Sequence, residues 1–300
     1  MTALAEPSAA AAASGDRGVP TVAGEARATR YLVGAICAVV VTLMLAPVVL
    51  SFLASIKPAA EARQSPPSYL PQALSLENYL KVFDFQAGLW TYVSNSLLVA
   101  AYTIVLCLLL AVPAGYGLAR FRIPAKELWF IVLLAPLMIP YQALLTPLYL
   151  TFSKLGLANN HFGLAMVHTI LQLPFSIYLM RNSFESIPRE LEEAAVMDGS
   201  NSLQVLRNIF LPLIVPGIVT VALFAFITSW NEFLSALIFM NNESAFTVPI
   251  MLVSVRAGRL GAVDWGALQA GVIISILPCI LIYVLLQKYY VSGFLNGAVK

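Results

Sequence analysis

Apolar and polar residues in this chain are segregated into long blocks; they do not alternate within short elements. Tyr31–Ile56 carries no charge over 26 residues. A second uncharged run reaches Ala119, with its spanning part about Tyr92–Ala119. Leu128–Ser153 is the third and Phe162–Met180 the fourth, the latter holding His168. Leu211–Phe233 is the fifth, interrupted by Glu232 alone, and Trp265–Gln287 is the sixth. Each supplies the roughly 20 residues that a helix needs to cross a bilayer. Only helices and closed barrels satisfy their own backbone in hydrocarbon. Runs this long and unalternating do not suit barrel strands. The pattern predicts an all-α polytopic membrane protein with six transmembrane helices.

What lies between the runs sets their orientation. If the N-terminus is cytoplasmic, eleven basic residues fall inside: Arg17, Arg27, Arg30, Arg120, Arg122, Lys126, Arg181, Arg189, Arg207, Lys288 and Lys300. Six fall outside: Lys57, Arg63, Lys81, Lys154, Arg256 and Arg259. That bias predicts N- and C-termini in the cytoplasm. Residues 1–30 are rich in Ala, Ser, Gly and Pro and read as a disordered cytosolic tail, followed by a membrane domain over 31–300. The tail does not read as a signal peptide, because its apolar run begins late and is too long for an h-region. Every span contains proline, at Pro47, Pro113, Pro136 and Pro140, Pro174, Pro216 and Pro278. Proline removes a helix hydrogen bond, so a kink is expected in all six.

Composition agrees. The chain is 60% hydrophobic and 11% charged, with a mean hydropathy of +0.84, against about a quarter charged in a soluble domain. A net charge of +2 gives no reason to expect nucleic acid. Cys37, Cys107 and Cys279 sit inside apolar runs at unrelated spacing, as neither a disulfide framework nor a metal site. There is no GxxxxGK[ST] phosphate loop and no catalytic constellation, so the chain is not expected to be an enzyme.

One polar stretch stands out, Glu190–Pro212, between the fourth and fifth runs. It holds Glu190, Glu192, Glu193 and Asp198, four of the fifteen acidic residues. Glu192–Met197 predicts a short helix with Ala194 and Ala195 at its middle. Gly199 ends it, since glycine enters left-handed conformations without steric cost. Asn201 or Ser202 can cap a second helix, with Leu203, Leu206, Ile209 and Phe210 at helical spacing. Pro212 fits the start of the next apolar helix. Glu190 and Glu192 read as solvated or partner-facing charges.

Glu193-Ala194-Ala195, three residues, Gly199, nine residues, Ile209, one residue, Leu211-Pro212 matches at every defined position the EAA loop of ABC importer permeases. The resemblance extends over about 31–300. Ser55-Ile56-Lys57-Pro58 and Ser75-Leu76-Glu77-Asn78-Tyr79 resemble the first outer loop of carbohydrate permeases. Asn95-Ser96, Arg120-Phe121-Arg122-Ile123-Pro124 with Lys126, Ser229-Trp230-Asn231-Glu232-Phe233 and Gly297-Ala298-Val299-Lys300 are similar to further segments of that group. Together they resemble the maltose-type G subunit, the shorter of two unlike permeases. The resemblance implies the type I importer fold, with a core permease region at about 91–285 and a coupling loop at about 188–212.

It also implies a mechanism and partners. Glu190, Glu193, Ala194, Ala195, Asp198, Gly199, Ile209 and Pro212 would form the coupling element that an ATPase receives. A second permease, two ATP-binding subunits, an extracytoplasmic solute-binding protein and membrane lipid would be the partners. The chain itself would bind no cofactor, ATP and Mg belonging to the ATPase. The expected location is the bacterial or archaeal inner membrane.

Candidates for the translocation path are Trp230, Asn231, Glu232, Gln172, His168 and Gln142. Glu232 falls toward the outer part of the fifth span. An ionisable group at membrane depth usually faces a polar interior, and Trp230 and Asn231 offer stacking and hydrogen bonding to a sugar. The other reading makes Glu232 an interfacial residue that marks the helix end, with Trp230 in an aromatic belt. His168 and Gln172, four apart on one helical face, read either as interhelical hydrogen-bonders or as ligand groups, and Gln142 is similar. The implied cargo is a sugar. Glycerol phosphate or an amino sugar is the alternative, and a proton-coupled secondary transporter using Glu232 and His168 is the rival class.

Overall fold

The computed structural model describes residues 22–62, 64, 66, 68–257 and 263–298, with side chains placed within 29–287. No strand occurs among the described residues. Chain contacts divide the protein into two units, Met1–Val49 and Leu50–Lys300. Helix α1, Val22–Ser55, contains the first candidate span, Thr29–Ser55. Its large apolar side chains from Tyr31 to Leu45 are exposed, and a helix apolar on every side belongs in lipid. Of the disordered tail expected over 1–30, residues 1–21 lie outside the described residues, and 22–30 form the first turns of α1 instead.

Leu50 onward builds a helical bundle. After α2 (Ala59–Ala62) and α3 (Glu77–Phe83), the second span is α4, Leu89–Arg120. The third is a bent pair, α5 (Lys126–Leu134, extended by a 3-10 turn to Met138) and α6 (Tyr141–Lys154), which meet at 96°. The fourth is α7, His161–Glu185. Next come α8 (Arg189–Met197), α9 (Ser202–Val205), a π turn over Leu206–Phe210 and α10 (Leu211–Leu213). They lead at 74° into α11, Val215–Asn231. Then α12 (Leu234–Phe239) and α13 (Val248–Ala257) precede the last span, α14, Trp265–Ala298. Four helices are thus long and apolar enough to cross a membrane, or six spans if each bent pair is one.

Of the six spans in which proline is expected to bend the helix, two are broken beside it. Pro47, Pro113, Pro174 and Pro278 lie within α-helices that run on past them. The breaks fall where other features combine. Pro136 and Pro140 flank the α5–α6 corner, and Pro140 is followed at once by a new helix start. At the second break, Ile214 leaves helical geometry at ψ 8° and Pro216 sits in the first turn of α11, where its missing N–H costs nothing.

Helix α4 packs along α7, and α11 packs against both. Gly115 of α4 lies close against α7, where a β-carbon would be 2.6 Å from Met180 Cβ; small residues permit such contact between membrane helices. Three apolar clusters hold the bundle. One, at the α8 end, joins Tyr116, Met180, Phe184, Ala195, Val205 and Phe210. A second joins Tyr92, Trp230, Met251 and Ala267 toward the other end. The third packs Leu145, Leu164 and Phe239.

At the other end, hydrogen bonds fix the connections. Asn78 Nδ2 donates to the carbonyls of Ser55 (2.9 Å) and Lys57 (2.7 Å). Asn95 Nδ2 donates to those of Ser244 (2.8 Å) and Phe246 (2.9 Å), and the Ser96 hydroxyl accepts the Val248 N–H at 2.8 Å.

Candidate functional site: the α8–α9 loop and the α11–α12 turn

Local chemistry builds the α8–α9 loop. Pro188 enters α8 in an extended conformation, and Glu190 and Glu192 sit in its first turn, where the helix dipole favours negative charge. The helix closes at Gly199, with φ 84°. The Gly199 N–H donates to Val196 O and the Ser200 N–H to Ala195 O, both at 3.0 Å. This pair of bonds is the Schellman closure, with glycine at its left-handed position. Two residues later Asn201 starts α9. Its Oδ1 accepts the Gln204 N–H at 2.9 Å, and Gln204 Oε1 accepts the Asn201 N–H at 2.8 Å. That reciprocal pair is a capping box.

The loop has a free face and a seated face. Glu190, Glu193, Ala194 and Met197 recur at helical spacing and are exposed, Met197 at 86%. Asp198 and Gly199 are exposed as well, and Leu203 beyond them is 72% exposed. Ala195 is buried in the cluster beneath, Ile209 is half-buried and Pro212 exposed. Glu192 departs from expectation. It turns inward, with Oε2 3.6 Å from Arg120 Nη1. Arg120, at the end of α4, holds its guanidinium 4.7 Å from the centre of the Phe210 ring.

The α11–α12 turn is built the other way, by one side chain. Glu232 follows the last residue of α11 in extended conformation. Its carboxylate accepts the N–H groups of Leu234 and Ser235 at 3.0 Å and Ala236 at 3.2 Å, and the Ser235 hydroxyl. It satisfies the first donors of α12, which no helical carbonyl can reach. His168 closes the set from α7. Its Nε2 lies 3.3 Å from Glu232 Oε2 and 3.0 Å from Ser235 Oγ, and Nδ1 lies 2.9 Å from Ser229 Oγ.

The structure thus brings His168 and Glu232 together. Gln172, one turn along α7, accepts from the Thr228 hydroxyl at 3.2 Å. Trp230 points elsewhere: it is 2% exposed, stacks on Phe226 and donates Nε1–H to Ser275 O at 3.1 Å. Asn231 is exposed and donates to Ile227 O at 2.8 Å. Gln142 is exposed on α6. Sequence reasoning missed Ser229 and Ser235 as partners, although both lie three residues from Glu232. It also missed Tyr116 and Arg120 beneath the α8–α9 loop.

The profile of the family described as "Binding-protein-dependent transport system inner membrane component" matches residues 111–294, a stretch that contains both sites. The chain belongs to that family. This permease is 38% identical over 231 residues to the probable ABC transporter permease protein YurM of Bacillus subtilis, covering 77% of this chain and 76% of that protein. It is 30% identical over 254 residues to the diacetylchitobiose uptake system permease protein DasC of Streptomyces coelicolor, covering 85% and 91%. Among solved structures it resembles a chain of a bacterial ABC transporter involved in the import of the acidic polysaccharide alginate. The TM-score there is 0.77 at 27% identity, covering 91% of this chain and 100% of that one. The permease is therefore a multi-pass inner membrane component of an ABC importer, with the fold expected from its sequence.

Proposed function

We propose that this permease moves a carbohydrate or carbohydrate derivative, pairing with a second permease and coupling to ATPase subunits through α8. The free face of α8 supports the coupling role: Glu190, Glu193, Ala194 and Met197 are presented outward by a helix that is closed at Gly199. Ala194 allows a partner surface to approach closely, and Glu193 offers a carboxylate to a basic or hydrogen-bonding group. Diacetylchitobiose uptake by the system of DasC and alginate import by the structural relative support a saccharide cargo. They also keep an amino sugar or acidic saccharide within the class. On this reading a solute-binding protein delivers cargo at the end opposite α8, and ATP with Mg is held by two ATPase subunits.

The test is reconstitution of the permease with its partner permease, ATPases and binding protein in nanodiscs. Saccharides that stabilise the binding protein in a thermal-shift panel should raise ATP hydrolysis and enter proteoliposomes. Uptake that proceeds without the ATPases and follows a pH gradient would sink the reading.

A further inference from the structure

We propose that Arg120 is a positioning residue through which displacement of α8 is passed to the membrane helices. The inference rests on the reading of α8 as the ATPase dock. Arg120 ends α4, and its side chain is 3% exposed. Nη2 donates to Phe184 O at 2.5 Å and Ile187 O at 2.6 Å, at the end of α7 and just beyond it. Nη1 faces the Glu192 carboxylate on α8. The guanidinium lies 4.7 Å from the centre of the Phe210 ring, in the π turn that leads to α11. One planar group therefore touches α7, α8 and the segment entering α11 while belonging to α4.

Tyr116, one turn earlier, completes the junction. Its hydroxyl donates to Ser202 O at 3.3 Å, at the start of α9. Its ring lies 5.4 Å from Phe184 and 5.5 Å from Phe210.

Arg120 Nε is buried without a hydrogen-bond partner. A buried cation with an unsatisfied donor is a poor device for stability alone, because apolar packing of similar volume does as well or better. As a rigid fork it does what apolar packing cannot. It fixes the distance between α8 and three membrane-spanning elements in one planar group. When an ATPase moves α8, Glu192 and Ile187 carry Arg120 with them, and α4 and α11 follow.

The experiment uses the complete reconstituted transporter with a spin label at Met197 on the free face of α8. Adding the ATPases should immobilise the label. Arg120→Gln should leave ATPase co-purification intact and loosen the label in the permease alone. It should also raise the ATP hydrolysed per substrate moved by about tenfold, within the usual range of coupling between sites. Arg120→Lys should not restore coupling, because an ammonium cannot hold both carbonyls while lying flat on Phe210. Glu192→Gln should act in the same direction but more weakly, and the double variant should be no worse than Arg120→Gln, as for residues in one chain of contact.

A label that the ATPases fail to immobilise would overturn the docking reading and the proposal with it. A label that the ATPases immobilise, with a native ATP-to-substrate ratio in Arg120→Gln, would overturn the proposal alone. If Arg120→Gln fails to accumulate, Tyr116→Phe and Glu192→Gln decide. Native coupling in both would sink the idea, and a raised ratio in either supports it.

Discussion

Two turns of the chain, after α8 and after α11, are made by opposite means. The α8–α9 turn is built from neighbours in sequence: Gly199 supplies a positive φ, Ala195 and Val196 supply carbonyls, and Asn201 and Gln204 cap one another. The α11–α12 turn depends on one carboxylate and on a histidine that lies 64 positions earlier in the chain. The first turn has its chemistry in backbone geometry, the second in a buried polar network. A turn of the first kind can be loosened without disturbing the bundle. A turn of the second kind cannot, because removing one member strands the others without partners.

The largest effect is therefore expected from Glu232→Ala. It leaves three N–H groups of α12 and the Ser235 hydroxyl without their acceptor, and takes one of its neighbours from His168. The expected cost is on the order of 3 kcal/mol, read as a lowered Tm of the detergent-solubilised permease. Glu232→Gln should lose less, since an amide oxygen still accepts. Equal and negligible losses in both would show that the network does not hold the turn.

Next is Gly199→Val. A β-carbon there would meet nothing within 4 Å, so the cost is conformational, about 1–3 kcal/mol for a residue ill-suited to positive φ. Asn at this position should cost less, because it tolerates the left-handed region. The Tm of the bundle should barely move, while pull-down of the ATPases or binding-protein-stimulated hydrolysis should fall. Native behaviour in pull-down, hydrolysis and uptake would remove the coupling role from this loop. Asn201→Ala should follow with about 1 kcal/mol, the usual loss of a helix cap, seen as faster hydrogen exchange across α9.

The smallest effect is at Glu61, a carboxylate that closes a loop outside the spans. The Ser68 hydroxyl holds its pKa below the usual carboxylate range; burial opposes this, and the Gln72 N–H and Lys57 add to the lowering. A depressed pKa in the folded state contributes stability above the unfolded value, and that contribution is lost as pH falls through the folded one. Protease cutting within 57–72 should therefore increase as the medium is acidified to about pH 3. In Glu61→Gln the same loop should be cut at a rate insensitive to pH.

The contrast also explains what could be read in the sequence. The spans were legible because lipid demands long apolar runs, and the predicted sixth begins at Trp265, where α14 begins. Gly199 and Asn201 were legible because their partners lie within five residues. Glu232 was legible as an anomaly but not as a helix cap, since its role is defined by the backbone after it and by His168 on another helix. Trp230 was offered to a ligand on composition, and its indole instead bonds a carbonyl of α14. Arg120 was read as a positive charge and as part of an inner-loop motif, because nothing near it in sequence announces Phe184, Ile187, Glu192 and Phe210. The two breaks were blurred by proline itself. Its presence in every span hides the corners where it coincides with a helix end.

The 96° corner between α5 and α6 has a consequence for hydration. The first N–H groups of any helix have no partner within it, and α6 begins at Tyr141, just past Pro140. In hydrocarbon each such group would cost several kcal/mol. The corner must therefore rest against protein or water. Met138, 87% exposed beside it, is where such a neighbour would sit.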